Sequence, residues 1–347
     1  MRRRVRPGAL MGVLFMLAAS GFGEPRKIII DTDPGADDAL AILLALDSPE
    51  VDLKALTVVA GNVVVERGLT NALQLVSLAH RCDVRVARGA GHPLVQRLVT
   101  AEFFHGRNGM GDVELPSPVC RADPRFAPDL IIDLVHQYPH EITLVPIGPL
   151  TNIALAVLKD PSLVPLVQEV VLMGGSISGG NATAAAEANI ANDPEAAQVV
   201  FEAGWPLTMV GLNVTERTLF TPADLRRLAT THGVQNDFAL GVLRFMLGVA
   251  ARLGGDGTPM HDPLAVGAVI DRSLIVTRDM RVDIETRGQY TRGETVASRH
   301  NASDHKVRVG DRYSIDGVAK VAPNVHVAVE SDARRFIELL LSRLAGH

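Results

Sequence analysis

Short apolar runs and longer helical patterns alternate along most of the chain. The runs Lys27–Ile30, Leu53–Ala60, Val84–Val86, Ile142–Pro146, Glu169–Met173 and Leu207–Val210 have the length of strands. Between them, Asp38–Leu46, Val65–Ala79, Ala127–His136, Thr151–Val157 and Pro194–Ala203 carry the periodicity of helices. Strands that alternate with helices imply βαβ units, a largely parallel sheet and right-handed crossovers. A long helical pattern follows from Asn236 to Leu253, then the polar turn GGDGTPMHDPLA, a β-rich segment over Leu274–Val329 and a closing helix at Ala333–Leu344. No linker rich in Pro, Gly or Ser interrupts this order. The pattern therefore predicts an α/β fold, a single-domain open and mostly parallel sheet flanked by helices, with a β-rich C-terminal extension.

The N-terminus departs from that alternation. Arg2, Arg3, Arg4 and Arg6 precede an apolar run from Ala9 to Ala19, and Ala19 and Gly21 are small residues suited to a cleavage site. That is the form of a secretory signal peptide, and the run is too short to span a bilayer comfortably. Residues 1–23 are thus expected to be a removable leader and 24–347 the working domain. The mature chain would begin between Gly21 and Lys27 and act in the periplasm or as a secreted protein, with no membrane association. A misassigned start codon would leave it cytoplasmic. Loss of the four arginines takes the formal net charge from -5 to -9. Neither value suits a nucleic-acid partner, and no basic stripe with interleaved aromatics is present. Cys82 and Cys120 are too few for a disulfide framework and are not spaced as a zinc site, so they are ordinary thiols or at best one bridge.

The stretch KIIIDTDPGADDALAILLAL gathers Asp31, Asp33, Asp37 and Asp38 between two apolar runs. Buried like charges repel, and each costs several kcal/mol or more unless it is compensated. A helix opening at Asp37 and Asp38 can relieve one or two of them through its N-terminal N–H groups. It cannot serve four. Ligands of parallel sheets bind beyond the carboxyl ends of the strands, where this cluster falls. A hard divalent cation such as Ca²⁺, which accepts several carboxylate oxygens, is the natural remaining partner.

The same stretch resembles the N-terminal signature of the inosine–uridine nucleoside hydrolase family. The resemblance continues through VVAGN with Asn62, FFHGRNGMGD with His105, LVPIGPLTN around Ile147, VVLMGG with Met173, GGNATAAAEANIANDPEAA and MHDPLA, in the family's order. Such enzymes cleave the N-glycosidic bond of ribonucleosides, and their transition state resembles an oxocarbenium ion. The resemblance implies Ca²⁺ held by Asp33, Asp38, Asp262 and the Ile147 carbonyl, with the ribose hydroxyls and a water completing the shell. Asp33 would also be the general base toward that water. Asp37, Asn62 and Asn189 would bind the ribose diol and water, Asn181 and Glu187 the 5′ hydroxyl, and Met173 the ribose. Asp31 would orient its neighbours. His261, next to Asp262, would protonate the departing base, and His105 would touch the base from a loop. The family further implies a homodimer or homotetramer.

Taken singly, these residues have ordinary readings. Asn62 after Gly61 looks like a turn pair, Gly179–Asn181 a loop, and Met173 core packing; the ordered set makes the functional reading. Asn-x-Ser/Thr triplets at Asn181, Asn213 and Asn301 are of a kind frequent by chance. One departure concerns Ala188, which stands where the family commonly has an aromatic, so base preference is left open. The region Thr218–Pro259 offers no assignable residue. Two other readings are a phosphatase of the haloacid dehalogenase type, with Asp31 as nucleophile, and an exported Ca²⁺-dependent nucleoside receptor without catalysis.

Overall fold

In the computed structural model, which describes residues 24–298 and 322–345, the first apolar run forms β1 (Arg26–Thr32) and the acidic stretch opens α1 (Ala36–Leu46). The leader and the Asn301 triplet lie outside the described residues. The alternation continues as β2 (Val51–Val58), α2 (Val65–Leu78), β3 (Arg85–Arg88), the short α3 (Glu102–His105), α4 (Ala127–Gln137), β4 (Ile142–Pro146), α5 (Thr151–Lys159) and β5 (Glu169–Met173). Next come α6 (Ala188–Asn192), α7 (Pro194–Glu202), β6 (Leu207–Val210), α8 (Leu212–Thr215), β7 (Leu219–Phe220), α9 (Pro222–Leu228) and α10 (Val234–Arg252). The chain ends its described course with β8 (Thr258–Pro259), α11 (His261–Ile270), β9 (Ile275–Met280), β10 (Val282–Ile284), β11 (Thr295–Ala297), β12 (Val325–Ser331) and α12 (Ala333–Leu344). β4, β5, β6 and α12 have the bounds that the apolar pattern predicts, and the other predicted elements differ only at their ends.

Among the described residues the main sheet has eight strands in the order β3-β2-β1-β4-β5-β6-β12-β9. All neighbours pair in parallel except β12 with β9, which are antiparallel. The chain builds outward from β1 through β2 to β3, then returns to the other side of β1 with β4. That reversal opens a crevice beyond the carboxyl ends of β1 and β4. The described part of the β-rich tail does not form a separate unit. Two of its strands, β12 and β9, extend the main sheet, and β10 and β11 make a small antiparallel pair.

Strand periodicity sorts the core. Ile28 and Ile30 of β1 face one side of the sheet with α1, α2 and α10 to α12, whereas Ile29 faces the other with α4, α5 and α7. Helix α1 is buried along its whole length, against α2, α10, α11 and α12. A helix apolar on every side belongs inside, and its two acids at the N-terminus go inside with it. The cysteines are joined by a Cys82–Cys120 disulfide, so the bridge rather than the pair of free thiols is what the fold contains.

Candidate active site

The carboxyl ends of β1, β2, β4 and β5 converge on a cavity of about 560 Å³. Its floor is acidic. Asp33 sits on the turn after β1, Asp37 in the first turn of α1 and Asp262 in the first turn of α11, with Asp38 next to Asp37 but outside the lining. All four are buried. Asp38 is the best supported, since Thr32 Oγ1 donates to Oδ1 (2.5 Å) while Gly35 N and Asn62 Nδ2 donate to Oδ2 (both 3.0 Å). Asp33 Oδ2 accepts from Asn62 N at 2.6 Å, but its Oδ1 has no partner among the described residues. A Cβ at Gly61 would come within 2.0 Å of Asp33 Oδ2, and one at Gly148 within 2.4 Å of Oδ1. Only glycine on both sides leaves that carboxylate its position. Asp37 Oδ1 is likewise buried without a hydrogen-bond partner among the described residues.

One carboxylate oxygen each from Asp37, Asp38 and Asp262 lie within 4.8 Å of one another. Asp37 thus joins the converging trio, and Asp33 stands beside it. Burial pushes the Asp33 carboxyl well above its usual range, and the Asp38 charge adds to the shift. Asp262 is displaced the same way, by burial first and then by the charges of Asp37 and Asp38. Burial also raises Asp37 and Asp38. Such a group ionises less readily than a solvated carboxyl. Two orphaned carboxylate oxygens and an all-oxygen donor set fit a hard divalent cation.

The expected polar residues surround this floor. Asn189 Nδ2 donates to the carbonyls of Ile147 (3.0 Å) and Met173 (3.1 Å), binding the ends of β4 and β5 together. The Ile147 side chain is in the core, so only its backbone is presented to the site. Glu187 is buried and accepts from Gly175 N, Asn189 N and Ile190 N, capping α6 while it lines the cavity. Asn181 is exposed and accepts from Ala188 N. His261 lines the cavity with Nδ1 2.8 Å from Thr215 Oγ1. Burial lowers its pKa, and the Asp37 charge opposes that shift. His105 reaches in from α3, where its Nδ1 accepts from Ala36 N (3.1 Å) and stands 3.5 Å from Asp37 Oδ1.

Asp31 behaves differently from its neighbours. It faces away from the other acids, accepting from Thr57 Oγ1 (2.6 Å) and Asn152 Nδ2 (2.8 Å), and burial pushes its pKa up to about 7. Its Oδ2 has no hydrogen-bond partner among the described residues, but a phosphatase nucleophile would have to face substrate, and this carboxylate does not line the cavity.

The roof of the cavity escaped the reading of the sequence. Val99 and Phe104 come from the segment that joins β3 to α4, and Met246, Val249 and Leu253 from α10 and its C-terminal end. The α10 residues repeat at helical spacing, a signal identical to that of ordinary core packing. Thr215, the partner of His261, carries no signal at all. Ala188 lines the cavity without an aromatic ring, and the ring present at the wall is that of Phe104.

Comparison with known proteins agrees with this geometry. The sequence profile described as "Inosine-uridine preferring nucleoside hydrolase" matches residues 28–338. The inosine-uridine preferring nucleoside hydrolase of Crithidia fasciculata is 44% identical over 280 residues, covering 80% of this chain and 89% of that protein. The pyrimidine-specific ribonucleoside hydrolase RihA of Photobacterium profundum is 37% identical, over 93% of this chain and 99% of its own. Among solved structures, the purine-preferring ribonucleoside hydrolase from Gardnerella vaginalis superposes with a TM-score of 0.83 at 34% identity, over 92% of this chain and 98% of that one. With its acids, amides and histidines at the carboxyl edge of such a sheet, the chain belongs to the inosine-uridine preferring nucleoside hydrolase family, and so to the hydrolases of N-glycosyl bonds.

Proposed function

We propose that this enzyme hydrolyses ribonucleosides to ribose and free base in a Ca²⁺-dependent reaction, with Asp33 as general base and His261 as general acid. The observation that carries this reading is the pair of buried oxygens with no hydrogen-bond donor among the described residues, Asp33 Oδ1 and Asp37 Oδ1, at the acidic end of a cavity whose other end is apolar. A polar sugar and a flat, largely apolar base ask for those two surroundings. Asp33, Asp38, Asp262 and the Ile147 carbonyl would hold the cation, and Asp37 stands near enough to join them. When bound, Ca²⁺ supplies the positive charge that keeps these carboxylates ionised and acidifies water.

The remaining work belongs to the chain. Cleavage breaks the C1′–N bond as water adds at C1′, so one proton must leave the water and one must reach the departing nitrogen. Asp33 takes the first, and its tight setting between Gly61 and Gly148 keeps the acceptor fixed. His261 delivers the second, with its ring held by Thr215. Asn62, Asp37 and Asn189 orient the ribose diol, and Asn181 and Glu187 the 5′ hydroxyl, so that binding favours the reacting geometry. The reading includes export, since the Cys82–Cys120 bridge suits an oxidising compartment.

Incubation with inosine or uridine and an assay for free ribose tests the reaction. Ribose release that is lost on chelation and restored by Ca²⁺ is the expected result. Nucleoside binding without release would leave a receptor, and full activity with zinc after calcium removal would replace the metal. Mass spectrometry of protein from its native host tests export, with a first residue between Gly21 and Lys27 expected and an intact cytosolic Met1 contradicting it.

A further inference from the structure

The segment 89–126 carries His105, Phe104 and Val99 to the cavity, yet most of it has no regular structure. Its first part is bonded to Asn62, Asn152, Asp193 and the end of α6, and its 108–120 part to one helix. Along α2, three polar side chains at three-residue intervals bond to its backbone. Asn71 Nδ2 donates to the Asn108 carbonyl at 2.9 Å, and Gln74 Nε2 to the carbonyls of Leu115 (3.0 Å) and Pro116 (2.9 Å). Ser77 Oγ accepts from the N–H groups of Val119 and Cys120, both at 3.1 Å. Just beyond the helix, Cys82 closes the row covalently on Cys120.

Asn71 does more than hold the segment. It is buried, and the same Nδ2 also donates to the Pro34 carbonyl at 3.0 Å, next to Asp33. One amide group therefore spans the acidic loop and the His105 segment. The segment is stiff at that point. Asn108 Oδ1 accepts from Met110 N and Asp112 N, Gly111 N donates to the His105 carbonyl, and Met110 is in the core. Gly109 lies so close that a Cβ there would meet Asn71 Nδ2 at 2.9 Å, and its φ of +85° favours glycine in any case.

We propose that Asn71 is a positioning residue which, with Gln74, Ser77 and the Cys82–Cys120 bridge, latches the 105–120 segment to α2 and sets His105 against the acidic loop. The functional half of this proposal rests on the nucleoside hydrolase reading of the site; the structural half does not. Hydrogen exchange read by mass spectrometry separates them. In Asn71→Ala, in the isosteric Asn71→Asp and in the double variant Cys82→Ser/Cys120→Ser, amides of 106–120 should exchange faster while β1 and α11 keep the parent's protection. Faster exchange spread evenly over the protein, or none in 106–120, would overturn the latch. In kinetics, Asn71→Ala should raise KM for inosine ~10-fold with a smaller effect on kcat, because a displaced wall mainly weakens the hold on the base. A nitrophenyl riboside should be affected less. Equal losses in kcat on both substrates would mean that Asn71 supports the metal loop alone and would overturn its coupling to the segment. If the parent hydrolyses no nucleoside, the functional reading fails, and the exchange data still decide the latch.

Discussion

The two ends of the cavity are built by opposite rules. At the floor, Asp33 and Asp262 are 1% and 3% exposed and sit beside a strand end and at a helix start, Asp33 fixed by a named hydrogen bond and by glycines at contact distance. At the roof the side chains are apolar, Met246 and Val249 buried and Phe104 and Leu253 50% and 63% exposed, with no side-chain hydrogen bond to fix them. A charge in a buried site depends steeply on position, so the floor admits few alternatives. Apolar contact is non-directional, and many side chains of suitable size can supply it. On the reaction proposed above, the chemistry falls to the end that tolerates least change, and substrate choice to the end that tolerates most.

Substitutions can break that division in order of severity. Asp33→Asn should lower kcat by about 10⁴-fold, the upper range for removing a general base, with circular dichroism unchanged. A rate near the parent's would assign water activation to another residue. His261→Ala should slow inosine by about 10²-fold or more, but a nitrophenyl riboside far less, because nitrophenolate leaves without a proton. Equal losses would reduce His261 to a support for Asp262.

Metal removal probes the buried acids. Asp31, ordinarily near 3.8, is raised to about 7, and Asp33, Asp37, Asp38 and Asp262 are raised as well. Between those limits the folded chain keeps protons that the unfolded chain has released, so folding stability is greatest at the acid end and falls as pH rises. The melting temperature of metal-stripped protein should therefore decline from about pH 5 to about pH 8. Added Ca²⁺ should restore it, and most strongly at the higher pH. A metal-stripped protein whose melting point climbs over that interval would contradict the burial of these acids.

The smallest effects belong to the roof. Phe104→Ala and Leu253→Ala should each change KM for nucleosides by roughly 3- to 10-fold, the worth of a partly buried apolar side chain, and leave kcat on the nitrophenyl riboside nearly intact. His105→Ala should likewise act mainly on the choice between nucleosides. A large loss of kcat in any of the three would erase the distinction between the two ends.

That contrast also explains what could be read before the fold was known. Four aspartates in eight positions announce themselves because burying them has so few solutions, and DTDPGADD, MHD and the GGN block carry the floor almost completely. Strands such as Glu169–Met173 were legible because an apolar run between turn residues has one natural length. The roof was not legible, since Met246, Val249 and Leu253 have the spacing of any core helix. The hydroxyl of Thr215 and the amide of Asn71 act across 46 and 37 residues, distances at which spacing says nothing about contact. The Cys82–Cys120 bridge, 38 residues apart, is hidden for the same reason. The tail read correctly as β-rich, but which strands it would join is a question of pairing rather than of pattern.

That pairing bears on when the protein can fold. β12 lies between β6 and β9, although more than a hundred residues separate it from β6 along the chain. During synthesis from the N-terminus, β6 keeps an open edge and β9 has no neighbour among the described strands until β12 has been made. The inner face of α1 also waits for α12. A nascent chain in that condition cannot seal its sheet, whatever its first two hundred residues have already formed.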